Sequence, residues 1–277
     1  MTCRSLSVLA LAGVVSTSSL SAQPWATAVI SYEAGVGAAT SYNNPAAALG
    51  EPSRTVPGWP SGEDPVNPFT PPFLANQLVS IGAGGWLTLQ LGQSALNDPG
   101  HLFGIDFILF GNNGFTIING DYSGGGITDG SLFTFDPPGA SRVWVSADNV
   151  SYFELIAPPG LSAMVDGLFP TDAAGNFQRP VNPALTGADF ANQGLAGIRA
   201  LYDGSAGGTG FDLSWARDGG GNAVSLDAIN YLRIDVVSGK LELDGVAVVP
   251  EPGTWAVLGL GTLLALAVGQ RAGRRQL

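Results

Sequence analysis

The sequence predicts an all-β domain, a sandwich of antiparallel sheets, with one short apolar segment at each end of the chain. Three observations predict it. Glycine and proline are abundant, at 40 and 19 of 277 residues. Asx-Gly pairs, which favour turns because glycine tolerates positive φ, recur at Asn113-Gly114, Asn119-Gly120, Asp129-Gly130, Asp166-Gly167, Asp203-Gly204, Asp218-Gly219 and Asp244-Gly245. Between them lie short alternating or wholly apolar runs, the pattern of a two-sheet sandwich.

Taken in order, residues 1–22 read as a secretory signal. Arg4 supplies the charge, Leu6 to Val15 the apolar segment, and Leu20-Ser21-Ala22 a cleavage site before Gln23. The exported domain then spans 23–248. Its expected strands are Trp86 to Leu91, Ile105 to Phe110, Arg142 to Ser146, Tyr231 to Val237 and Leu241 to Asp244. Glu51 to Pro72 is proline-rich with too little apolar density for a strand, so it reads as a long surface loop. Residues 157–210, rich in Pro, Gly and Ala, read as an insertion between early and late strands, and Asp189 to Tyr202 is the best helical candidate.

The chain ends in a tail, 249–277. Val249-Pro250-Glu251-Pro252 is expected to be a stiff extended linker, because proline is excluded from helix interiors and pushes its predecessor towards extended geometry. Residues 254–270 carry no charge and form a transmembrane segment slightly shorter than the ~20 residues of a standard bilayer helix. Trp255 suits one interface. Arg271, Arg274 and Arg275, in the basic end 271–277, act as a membrane stop on the cytoplasmic side.

Composition excludes several function classes. Residues 23–249 hold seven basic residues against 21 acidic ones (22 in the chain, less Glu251), a net charge of −14. Such a surface repels nucleic acid, favours solubility and attracts divalent cations. The only cysteine, Cys3, leaves with the signal, so the core must stand without a disulfide. Zinc, copper and iron sites draw on His or Cys clusters, which the domain lacks. The single histidine, His101, sits in Asn97-Asp98-Pro99-Gly100-His101 and reads as a surface-turn residue. No nucleophile motif surrounds it, and the domain is expected not to be an enzyme. A glycosidase carboxylate pair stays open among so many acids.

Two resemblances add to this reading. The Pro-Glu-Pro element, the apolar run and the terminal arginines resemble the PEP-CTERM sorting tail. That resemblance implies recognition and cutting by an exosortase-type membrane protease, with delivery of an inner-membrane-anchored precursor to the surface or matrix of an exopolysaccharide-producing bacterium. An uncut single-pass anchor is the competing reading. Inside the domain, Ala48-Leu49-Gly50-Glu51-Pro52, Val79 to Leu89, Gly104 to Asn112 and Val143 to Tyr152 resemble segments of secreted bacterial jelly-roll domains, with Gly111 where an acid is usual. The closing strands, Gly210 to Ser214, Leu232 to Ile234 and Leu243 to Val246, are similar to galactose-binding-like sandwiches.

Two kinds of site residue follow. Asp106, Asn112, Asn113, Asn119 and Asp121 offer oxygen ligands for a structural calcium ion, as such sandwiches often hold; plain Asx-Gly turns explain the same residues. Trp59, Phe69, Tyr122 and Phe177 lie among Pro, Gly and Asx residues, where a ring either stacks on a sugar of the exopolysaccharide or caps the core.

Overall fold

A computed structural model describes residues 22–133 and 139–251. The expected signal up to Ser21 and the tail from Pro252, including the apolar run and Arg271, Arg274 and Arg275, lie outside the described residues. Among the described residues, no helix is long and apolar enough to cross a membrane.

Two antiparallel sheets share one core. The larger has six strands in the order Ala26–Glu33, Trp86–Leu96, Ala228–Ser238, Ala140–Ser146, Phe153–Leu155 and Ala216–Arg217. The smaller has four: Thr209–Phe211, Phe107–Gly111, Lys240–Val248 and Val79–Gly82. In the larger sheet Leu87 pairs with Ile234 and Leu89 with Leu232, which sets these leucines and their partners in the shared core. A strand alternates its side chains between two faces, and an inserted residue resets that phase. The register shift between Ile229 and Tyr231 is such a point: the buried positions run Ile229, then Leu232, Ile234 and Val236.

The smaller sheet is buried on both faces, which is why Phe107–Gly111 and Leu241 to Val248 read as nearly unbroken apolar runs. Phe107 stacks on Phe211, with centroids 5.2 Å apart. Phe110 instead meets Phe177 edge-on at 5.1 Å, and Phe177 also meets Trp25. Chain segments outside the two sheets therefore cover the second face. Their closeness explains Gly111, where a Cβ would lie 2.1 Å from the Asp166 carbonyl oxygen.

Several expectations need correction. Gly120, Gly130, Gly167 and Gly204 do adopt positive φ. Asp244-Gly245, however, lies inside Lys240–Val248, and Asn113-Gly114 opens the short strand Gly114–Phe115. Both Asx side chains are buried and bonded far away in sequence. Asp244 accepts from the Ser53 N–H and hydroxyl at 2.8 and 2.7 Å, and Asn113 donates to the Gly167 carbonyl at 3.1 Å. Long-range partners outweigh local turn preference at these two positions. The Glu51–Pro72 loop contains a hairpin, Thr55–Pro57 with Glu63–Pro65, pinned by buried Val56 and Val66.

The 157–210 insertion builds a satellite core from Phe169, Val181, Phe190, Ile198 and Tyr202, joined by Phe115. Its last residues already belong to the smaller sheet, through Thr209–Phe211. The expected helix is two: Gly187–Phe190 and Leu195–Tyr202. Asn192 at φ 63° and the extended Gly194 interrupt it, and Gln193–Gly194 pairs with Ile127–Thr128 instead. The first helix starts at a capping box, with the Asp189 carboxylate accepting from the Thr186 N–H at 2.7 Å. The second is tied down by a fork, in which Arg199 donates to both oxygens of buried Asp172 at 2.7 and 2.9 Å.

Candidate functional site

Two of the four loop aromatics are largely exposed, and they line one cleft. Trp59 stands in the chain between the two hairpin strands and is 94% exposed; Tyr122 is 80% exposed. The cleft, of about 590 Å³, is lined by these two rings together with Phe69, Asp64, Asp121 and Leu195. Phe69 is half-buried and leans on the satellite core. Phe177 is 1% exposed and caps the sheet, with the Arg54 guanidinium 4.7 Å above its ring. Of the two roles open to loop aromatics, Phe177 takes the lid.

Polar bonds build the loop that presents Tyr122. Asn119 donates to the Gly125 carbonyl at 2.8 Å and accepts from the Ile127 N–H at 3.1 Å, closing the loop's neck. Asp121 accepts from the hydroxyl and N–H of Ser123 at 2.6 and 2.9 Å, and these bonds hold its carboxyl below the usual range, the hydroxyl's first. The result is a cleft whose lining combines two largely exposed rings with the carboxylates of Asp64 and Asp121. Rings can stack on the apolar face of a sugar, and carboxylates can accept from its hydroxyls.

The calcium candidates divide. Asn119 and Asp121 share that loop. Asp106 precedes Phe107–Gly111 and Asn112 follows it. Six residues of extended chain place them about 20 Å apart, whereas a calcium ion holds its ligands within about 2.6 Å. Asn112 is bonded to Glu242. Asp106 is buried, and its two oxygens accept from the N–H groups of Asp98 and Leu213 at 3.3 and 2.8 Å and meet His101 Nδ1 at 2.7 Å. Burial pushes its carboxyl above the usual range despite those bonds.

His101 corrects its surface-turn reading. The turn exists, with the His101 N–H bonded to the Asp98 carbonyl at 3.0 Å, but the imidazole points inward and the residue is 4% exposed. The physical reason is Asp106, a buried carboxyl at the head of an apolar strand that must find an internal partner. That lone acid in Gly104-Ile105-Asp106-Phe107, five residues from the only histidine, was the available sequence signal.

The tail root also departs from expectation. Val249 is buried, and its N–H donates to the Asp106 carbonyl at 2.9 Å, so the packed domain extends through the first residue of the expected linker. Pro250 lines a second cavity of about 460 Å³ with His101, Gln178 and Arg179. Glu251 Oε1 stands 3.4 Å from His101 Nε2. Among the described residues, the histidine and carboxylate groups close enough to share a cation are Asp98, His101 and Glu251. At the other end, Ala22 and Gln23 are exposed and precede the first strand. No protein-family model matches this chain, and no curated protein does.

Proposed function

We propose that this chain is an exported cell-surface or extracellular-matrix protein, structural or adhesive within an exopolysaccharide layer and without a catalytic step of its own. Its precursor is held in the inner membrane by residues 254–270 and freed by an exosortase-type protease acting at Val249, Pro250, Glu251 and Pro252. The carrying observation is the order of parts in the tail: Pro-Glu-Pro, an uncharged run, then Arg271, Arg274 and Arg275. The two antiparallel sheets are read as a jelly roll of the galactose-binding-like kind. Intact mass of the product from its native host tests the proposal. The expected product begins at Gln23 and lacks the arginine tail. A cytosolic product, or an external one that keeps Arg274-Arg275-Gln276-Leu277, overturns it.

A second reading places a lectin-like carbohydrate-binding module at the same location. It is favoured by one observation, that Trp59 and Tyr122 are both highly exposed on the rim of one cleft. A glycan array probed with the domain tests it, and a hit should raise the unfolding temperature progressively, with the logarithm of saccharide concentration once that exceeds Kd.

A further inference from the structure

His101 is the only histidine in the chain, and the fold holds it in one orientation. Its Nδ1 lies 2.7 Å from Asp106 Oδ1. Asp106 acts as acceptor towards the N–H groups of Asp98 and Leu213, so Nδ1 is the ring atom that carries hydrogen to it. In the neutral ring the other nitrogen, Nε2, then carries a lone pair. It is fully enclosed and has no hydrogen-bond partner. An unmatched buried polar atom is destabilising, because it gives up its hydration without gaining a replacement bond. This one faces Glu251 Oε1 at 3.4 Å, and the ligand atoms of Asp98, His101 and Glu251 all lie within 4.8 Å of one another.

We propose that Asp98, His101 and Glu251 form a binding site for one divalent transition-metal ion, with Zn²⁺ the best fit. A lone pair and two carboxyl groups converging on one point need positive charge between them, either a metal ion or a proton held between Asp98 and Glu251, whose side chains are in hydrogen-bond contact. A metal-bound imidazole commonly donates its second N–H to a carboxylate, which fixes the ring and raises its basicity. Asp106 supplies that carboxylate. One nitrogen and two oxygens suit a borderline ion, whereas calcium and magnesium prefer oxygen alone. Three protein ligands leave room for water from the adjoining cavity beside Pro250. The site joins the 97–101 turn to the residue at the root of the tail, so the bound ion fastens that root to the domain.

The test uses the tag-free full chain in detergent, stripped with chelator and dialysed against Zn²⁺, then Co²⁺. The expected result is a single equivalent of Zn²⁺, not displaced by equal Ca²⁺ or Mg²⁺, and visible d–d absorption with Co²⁺. Glu251→Gln and Asp98→Asn lie outside the core and should each weaken binding at least about tenfold. Their unfolding temperatures in chelator should be no lower than that of the unsubstituted chain, which separates lost ligation from lost folding. Absence of stoichiometric Zn²⁺, or binding unchanged in both variants, overturns the proposal and leaves a proton shared between Asp98 and Glu251 beside His101.

Discussion

The strand Phe107–Gly111 and the cleft rim at Trp59 and Tyr122 use aromatic rings in opposite ways. Phe107 and Phe110 are wholly buried, whereas Trp59 and Tyr122 are almost wholly exposed. Fully burying such a ring stabilises a fold by about 1.5–3 kcal/mol, and the rim forgoes that gain. The loop carrying Tyr122 is held instead by the side chains of Asn119 and Asp121. The difference teaches that shape at the rim comes from polar bonds, which leaves its rings free for something else. Core and rim should therefore answer substitution independently.

The largest effect is expected in the sheet. Phe107→Ala removes a ring stacked on Phe211 in a position without solvent access, and should cost about 4 kcal/mol in denaturant unfolding. A cost below about 1 kcal/mol would mean that the sheet is not the stabilising layer.

Next comes a buried acid in the same sheet. Asp244 is pushed up to about 7 by burial, against the opposing bonds from Ser53, and Asp166 is pushed up to about 7 by burial as well. The folded carboxyl thus holds its proton at pH values where the unfolded one, at 3.8, has lost it. Below the unfolded value the protonated form carries no penalty. As pH rises from about 4 to about 7 this stability is lost, and above the folded value the loss is complete. Asp244→Asn cannot ionise and keeps an acceptor and a donor for Ser53. The variant should gain on the unsubstituted protein by on the order of 3 kcal/mol between pH 4 and pH 8. A pH-independent difference in urea titrations would remove Asp244 from the account.

How much of this could be read beforehand follows the same division. Phe107–Gly111 and Trp86–Leu96 were legible because burial on one or both faces leaves a period in the residues themselves. Ala26–Glu33 was not: its register slips twice against Trp86–Leu96, and its fully buried anchor is a mere alanine, Ala26. Trp59 and Tyr122 were legible as exposed rings because proline and glycine surround them, but their meeting in one cleft depends on where the hairpin packs. The set of Asp98, His101 and Glu251 left no local pattern, since its members come from a turn and from the far end of the domain.

A third effect should fall between core and rim. Arg199→Ala leaves Asp172 buried without its fork, at a cost of about 2 kcal/mol, moderated because water reaches the guanidinium. Arg199→Lys should recover less than half, because an ammonium cannot span both oxygens. Hydrogen exchange should locate the loosening in Leu195–Tyr202 and leave Phe107–Gly111 protected. Loosening that spreads through both sheets would mean the satellite core and the main core unfold as one unit.

The smallest effect on stability is expected at Trp59, and it decides whether the rim is truly separate. With 94% of its surface in water, Trp59 has little burial to lose, so Trp59→Ala should shift unfolding by no more than about 0.5 kcal/mol. If the rim binds saccharide, the same change should weaken binding at least about tenfold, roughly 1.4 kcal/mol. Tyr122→Ala should do likewise, while Tyr122→Phe keeps the stacking face and should retain most of the affinity. Calorimetric titration with the best glycan-array hit measures these losses, and thermal unfolding of the same samples measures stability. A Trp59→Ala protein that unfolds as readily as Phe107→Ala would make the exposed ring part of the core's support. In that case the contrast between the two regions fails, and with it the argument that the cleft rings are kept for a ligand.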